Sequence, residues 1–189
     1  MPYHWNASVS VTIGAMWVCA GERPLSLSYK FVDSPIGKLK LVASDKGVVA
    51  ILWENDNPRR VRLSDLTEDH NHPVLLQTES QLNEYFAGER SEFSLSLDMR
   101  GTGFQSQVWE ALLGIPFGET RTYGELANQL GNPKATRAVG AANGRNPISI
   151  VVPCHRVIGF SGRLTGFAGG LQAKAYLLEL EGHNDRLFR

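Results

Sequence analysis

The sequence predicts an α+β protein: an N-terminal three-stranded antiparallel sheet with a helix, then a mostly helical C-terminal unit containing a helix-turn-helix. Three observations carry this. Residues 29–54 hold short strand-like runs between turn signals, with Lys38 to Leu41 alternating at period two, two capping-box sequences follow Gly101, and the pattern changes from strand to helix near residues 98–103. The 189 residues, 42% hydrophobic and 20% charged, can bury one core or two small ones, which excludes intrinsic disorder for most of the chain.

Taken in order, residues 1–28 have no assigned role and form an N-terminal extension, or mark a start placed upstream of Met16. The weakly apolar run Ala7 to Ala20 has no preceding Lys or Arg and is too short for a bilayer, so neither signal nor membrane anchor is expected. Tyr29 to Val32, Lys38 to Ala43 and Val48 to Glu54 read as strands, joined by turns at Pro35/Gly37 and at Asp45-Lys46-Gly47. Residues 55–73, rich in Asn, Asp, Arg, Pro and His, read as a surface connection. Leu75, Leu82, Tyr85 and Phe86 share a helical face that ends at Gly88, and Phe93 to Leu97 alternates like a further strand. This makes 29–100 an N-terminal domain and 101–189 a C-terminal one.

In the second unit Thr102 with Gln105 opens a helix through Phe104, Val108 and Leu112, which Pro116 stops. Thr122 with Glu125 opens a short helix, Gly131-Asn132-Pro133 turns, and Ala135 to Asn143 forms a second helix at helix-turn-helix spacing. Ile148 to Val152 is an apolar run ending at Pro153, and Leu171 to Glu181 is a last helix capped by Gly182.

Nineteen basic and nineteen acidic residues cancel, so bulk charge names no partner. The distribution is uneven: residues 1–100 carry a net −3 and residues 101–189 a net +3. Within 121–174, seven Lys and Arg face Glu125 alone. Two cysteines, Cys19 and Cys154, cannot make a disulfide framework, and a reducing compartment is the default.

Pro153-Cys154-His155-Arg156-Val157 places a thiol between an apolar run and a Gly-rich stretch. There a nearby imidazole and guanidinium would favour the nucleophilic thiolate. An inert buried cysteine beside a hydrogen-bonded core histidine is the plainer alternative. A metal site fails on spacing, because one Cys-His pair lacks the further ligands of a tetrahedral site. The helix-turn-helix offers DNA as substrate: its second helix is built of small residues that suit either close approach to a partner or tight helix packing, and the local positive charge favours phosphate. Arg137 is the side chain there best placed to touch bases or fill a gap in the stack.

Asn146-Pro147-Ile148-Ser149-Ile150-Val151-Val152-Pro153-Cys154-His155-Arg156-Val157 resembles the active-site signature of the O6-alkylguanine-DNA alkyltransferases, or methylated-DNA-protein-cysteine methyltransferases. The likeness extends through Phe104 to Trp109, Thr122 to Ala127, Arg137 to Gly140, Leu164 to Gly170, Leu177-Leu178 and Glu181-Gly182. It covers about residues 29–182, more loosely before Phe104. It implies a ribonuclease H-like first domain and repair of O6-alkylguanine, less efficiently O4-alkylthymine, by one irreversible transfer to Cys154.

By the same resemblance Glu181 orients His155, which deprotonates Cys154 through a water, Tyr123 protonates the departing purine, and Asn146 holds the turn carrying the thiol. Arg137, with Ala135, Thr136, Ala138 and Tyr123, would meet the minor groove of duplex DNA, Arg137 filling the space left by the flipped nucleotide. Val157, Phe167, Ala168 and Gly169 would line the base pocket. Phe167 stands where relatives often carry Tyr, and Ser149 is small where a bulkier residue would alter access for large alkyl groups. No cofactor and no metal are implied; a cytoplasmic monomer is expected. The competing reading is a helix-turn-helix module that binds lesions without chemistry; a multiple-turnover thiol hydrolase is a more distant one.

Overall fold

The structure, a computed structural model, describes residues 26–183. Cys19, Met16 and nearly all of the N-terminal extension lie outside the described residues. Leu27 and Ser28, counted with that extension from sequence, already belong to the first strand.

Strand β1 (Leu27–Val32), β2 (Leu39–Ser44) and β3 (Gly47–Trp53) form the antiparallel meander that the strand-like runs and the turns between them predict. The sheet has a fourth strand. β4 (Leu66–Glu68) lies parallel to β1, giving the order β3-β2-β1-β4. It arises inside the segment read as a surface connection, which also covers one sheet face: Val61, Leu63 and Leu66 pack on Leu27, Val42, Val49 and Ala50. The polar residues of that segment mask three apolar positions spaced too irregularly for any periodic signal.

The opposite face is covered by helix α1 (Pro73–Phe86), which buries Leu75, Leu82 and Tyr85. Phe93 to Leu97 is not a strand. Only Leu97 makes an isolated bridge, to Val48, while Phe93, Leu95 and Leu97 pack their apolar side chains on the core. Alternation there records one-sided burial without a ladder.

Helix α2 (Gly103–Leu113) and α3 (Tyr123–Gln129) both begin with complete capping boxes: Gln105 N donates to Thr102 Oγ1 at 3.3 Å and Glu125 N to Thr122 Oγ1 at 3.2 Å, each answered by the reciprocal bond. A 3₁₀ turn, Pro133–Ala135, leads into α4 (Thr136–Gly144). Helix α4 turns Val139 and Ala142 inward, and the Ala142 carbonyl accepts from Trp109 Nε1 of α2 at 2.9 Å. Thr136, Arg137, Ala138 and Ala141 face outward, so the small residues serve both helix packing and an open surface.

Two-residue strands β5 (Arg121–Thr122) and β6 (Val157–Ile158) pair in parallel, and α5 (Gly170–Leu180) closes the described chain. No helix among the described residues is long and apolar enough to cross a membrane. The second unit shares the α1-side core: Val108, Trp109, Leu112, Leu126, Val139, Ile148, Val152 and Leu177 join Leu41, Ile51 and Tyr85. The free edge of β3 carries the segment before Cys154, with Ile51 N donating to the Pro147 carbonyl at 3.0 Å and Trp53 Nε1 to Ser149 Oγ at 3.2 Å. The sheet is thus the platform that fixes the thiol-bearing turn.

Candidate active site

Ile148 to Val152 is a series of tight turns, not a strand; only Ile148 makes a bridge, to Ile51. Ile150 sits at φ +75°, a conformation a β-branched residue adopts only when its surroundings hold it there. The holder is Asn146. Its Nδ2 donates to the Val152 carbonyl at 2.8 Å, and its Oδ1 accepts from Ile148 N at 3.0 Å, so one buried amide spans the loop. Arg60 bonds the Asn146 carbonyl from outside while its Nε is held by Asp56 at 2.7 Å.

The turn delivers Cys154 to a 3₁₀ segment, Cys154–Arg156, where the residue is 4% exposed. Beside it lies a cavity of about 10 Å³, lined by Arg60, Asn143, Asn146, Gly166, Phe167 and Ala168 among others, with room for one water. Burial pushes the thiol pKa up and outweighs the hydrogen bond from Asn146 and the charges of Arg60 and Lys174, which pull it down, so the resting thiol keeps its proton.

One residue on, the fully buried His155 Nε2 lies 2.8 Å from Glu181 Oε1. The Glu181 carboxylate also accepts Arg156 Nε at 2.8 Å, Arg156 Nη2 at 3.0 Å and Tyr85 Oη at 2.7 Å. Burial alone would raise the pKa of this carboxyl, but donors on both oxygens bring it down to about 2, so it is ionised at neutral pH. Burial lowers the His155 pKa and outweighs the upward pull of Glu181, which keeps the imidazole neutral and able to take a proton. His155 Nδ1 is buried and has no hydrogen-bond partner among the described residues. Tyr85 is pushed upward in pKa by burial and by Glu181, so it stays a donor.

Arg156 therefore serves the acid and not the thiol, contrary to what adjacency in sequence predicts; it also donates to the Ile115 carbonyl at 2.5 Å. The cations acting on the sulfur are Arg60 and Lys174, which sequence reading did not single out. Lys174 is fully buried on α5, donates to the carbonyls of Val157 at 2.5 Å and Thr165 at 2.9 Å, and has its pKa lowered by burial to about 8. Tyr85 and Arg60 come from the first unit and carry no local motif. A lysine amid α5's apolar pattern was the one signal available.

Residues 27–99 match the ribonuclease-like domain, and residues 103–183 the DNA binding domain, of 6-O-methylguanine DNA methyltransferase. The chain belongs to the 6-O-methylguanine DNA methyltransferase family. It is 51% identical over 157 residues to the methylated-DNA–protein-cysteine methyltransferase of Mycobacterium bovis, across 82% of this chain and 92% of that protein. The protein of the same name from Methanosarcina acetivorans is 48% identical over 154 residues, across 82% and 97%. The crystal structure of Mycobacterium tuberculosis OGT in complex with DNA matches with a TM-score of 0.75 at 51% identity, across 82% of this chain and 92% of that one.

Among the residues that the family signature picks out, Cys154, Asn146, Phe167 and Ala168 meet at the cavity, while His155, next to Cys154 in the chain, and its partner Glu181 do not line it. Tyr123 and Val157 are not among the cavity's lining residues. Tyr123 sits at the start of α3, half-buried, its hydroxyl 3.3 Å from Thr165 Oγ1. Val157 is buried with its carbonyl held by Lys174. Gly169 packs on Trp53, where an added Cβ would come within 2.5 Å of the indole, so glycine there answers a close approach. Phe167 meets Trp53 edge-on with ring centres 5.3 Å apart, which gives a wall residue lacking the family's frequent hydroxyl a packing partner instead. Ser149 is buried, bonds Trp53, and does not line the cavity. Among the described residues no group of three or more His, Cys, Asp or Glu is placed to hold a metal.

Proposed function

We propose that this chain repairs DNA directly, moving a methyl or other alkyl group from O6 of guanine, and less efficiently from O4 of thymine, onto Cys154 once and irreversibly. The observation that carries this reading is a buried thiol beside a water-sized cavity with a neutral His155 paired to an ionised Glu181. A water in the cavity relays the thiol proton to His155, and Glu181 stabilises the imidazolium that forms. Asn146 fixes the turn, while Arg60 and Lys174 favour the thiolate.

The sulfur attacks the tetrahedral alkyl carbon, the C–O6 bond breaks, and its electron pair leaves on guanine. Tyr123 protonates the departing purine; Thr165 donates to the Tyr123 hydroxyl oxygen, which leaves the phenolic proton free for that task. The product is a thioether with no leaving group at neutral pH, so each chain acts once, as a monomer. A reducing cytoplasm suits an acceptor that must be a free thiol.

DNA meets the outward face of α4, with Ala135 at its start and Thr136, Arg137 and Ala138 exposed. Small side chains suit the narrow minor groove, and Arg137 occupies the space of the extruded nucleotide, which costs a few kcal/mol to flip. A cavity for one water does not hold a purine, so base entry displaces the wall at Gly166, Phe167 and Ala168, with Val157 and Gly169 backing it.

The test is intact mass before and after exposure to duplex containing O6-methylguanine. A gain of one methyl group, mapped to Cys154, is expected; no gain, label on another residue, or several products per chain overturns the proposal. For Arg137→Ala, transfer from duplex is expected to slow about tenfold or more, since each 1.4 kcal/mol of flipping cost is tenfold. Transfer from the free alkylated base should stay unchanged. Equal losses on both substrates contradict a role in extrusion.

A further inference from the structure

Phe160 is 99% exposed, whereas the other exposed large apolar side chains among the described residues, Phe31, Leu76, Leu113 and Leu171, retain between 43% and 49%. A phenyl ring wholly in water gains nothing from the fold, yet an aromatic side chain of this size buries about 150–250 Å² when it finds a partner. It is not on a loose tail. Gly159 N donates to the Arg163 carbonyl at 3.0 Å, Gly162 N donates to the Gly159 carbonyl at 2.9 Å, and Gly162 takes φ +76°, so Phe160 stands at the tip of a closed turn.

The sheet register fixes where that tip lies. In the parallel pair β5–β6, Thr122 is opposite Ile158, so Tyr123 and Gly159 leave the sheet at the same end. Tyr123 in turn bonds Thr165, and its ring lies 3.7 Å from where a Cβ on Gly140 of α4 would stand. The Phe160 turn and α4 therefore flank the same tyrosine. Charge points the same way: Arg163 closes the turn and is exposed, and between residues 121 and 174 Glu125 is the one acidic side chain.

We propose that Phe160 is a nucleobase contact: when α4 docks on duplex DNA, the ring enters the stack at a step beside the lesion, and Arg163 meets the adjoining phosphate. Apolar side chains set among cations do this in proteins that bend or open the minor groove, and stacking accepts any base because each has a π face. A lone ring without apolar neighbours is too small a patch to hold a lipid surface. The proposal rests on the DNA reading above and adds a second opening element to Arg137.

Phe160→Ala removes a side chain that touches nothing, so thermal stability should be unchanged. Fluorescence anisotropy with labelled duplex should show binding weakened about fivefold or more, the lower range for one stacked base, and Phe160→Trp should retain it. 2-Aminopurine placed beside the lesion should report base unstacking with the wild-type chain and not with Phe160→Ala. Transfer from a free alkylated base should be unaffected. Equal duplex affinity of wild type and Phe160→Ala overturns the stacking role and leaves the DNA reading intact, whereas a wild-type chain that binds no duplex overturns both. A matching loss on the free base overturns the proposal by assigning Phe160 to the base pocket, and binding to anionic vesicles that depends on Phe160 in place of DNA binding overturns it as well.

Discussion

Cys154→Ala is expected to bind duplex DNA with wild-type affinity and to transfer no alkyl group at all. Attack at a tetrahedral carbon calls for an ionised, polarisable nucleophile, and among the described residues this thiol is the one cysteine. No oxyanion hole shares the work, since no carbonyl becomes tetrahedral, so nothing is left to give residual turnover when the sulfur is gone. The side chain is small and its removal enlarges a cavity that already exists, so the stability cost is about 1 kcal/mol, the order of one buried methylene. The proposed DNA surface is the outward face of α4, while the sulfur lies inside. Anisotropy with labelled duplex measures the first expectation, and intact mass after incubation with excess alkylated DNA measures the second. A variant that unfolds or loses binding would show that the thiol is a packing element; one that still gains mass would place the acceptor elsewhere.

What was legible in the sequence follows from the range of the forces involved. Capping boxes at Thr102/Gln105 and Thr122/Glu125 are complete within four residues, and both helices start where their signals stand. The meander β1–β3 shows through short strand-like runs and the turn residues between them, which are equally local signals. Contacts between distant segments left little trace. β4 and the covering residues Val61 and Leu63 are set by the sheet face they meet, and Phe93 to Leu97 alternates because one side is buried, with a single bridge from Leu97 to β3 in place of a ladder. At the site, Cys154, His155, Asn146 and Glu181 were legible through a family resemblance, which carries spatial information that spacing lacks. Arg156 was misplaced because neighbours in sequence on a 3₁₀ turn point apart, here toward Glu181 and away from the sulfur. Arg60 and Tyr85 reach the site from 94 and 96 residues away from Cys154 and Glu181 respectively, across the joint between the two units.

Glu181→Gln is expected to cost both stability and rate, and its stability cost should shrink as the solution is acidified. In the folded chain this carboxylate is the counter-charge of a buried guanidinium and the partner of a buried imidazole. Glutamine keeps the volume but removes the charge, leaving Arg156 unpaired, an imbalance worth about 3–5 kcal/mol when one member of a buried pair is lost. The pH dependence has a definite sign. The Glu181 pKa is about 2 folded and 4.5 in its ordinary state, so between those values the unfolded chain binds a proton that the folded chain does not. The native state gains about 3 kcal/mol from this group above pH 4.5, and the gain is lost as pH falls through 2. Other carboxylates titrate in the same window, but they are common to both proteins and cancel in the difference. Urea unfolding of wild type and Glu181→Gln at pH 7, 5 and 3 should therefore show a gap of several kcal/mol that narrows at the lowest value. Alkyl transfer at pH 7 should fall on the order of a hundredfold, the low end of what a positioned base contributes, because His155 loses the group that holds it and stabilises its charged form. A gap that stays constant with pH would mean that Glu181 acts through shape alone, and a variant with unchanged transfer would remove His155 from the proton path.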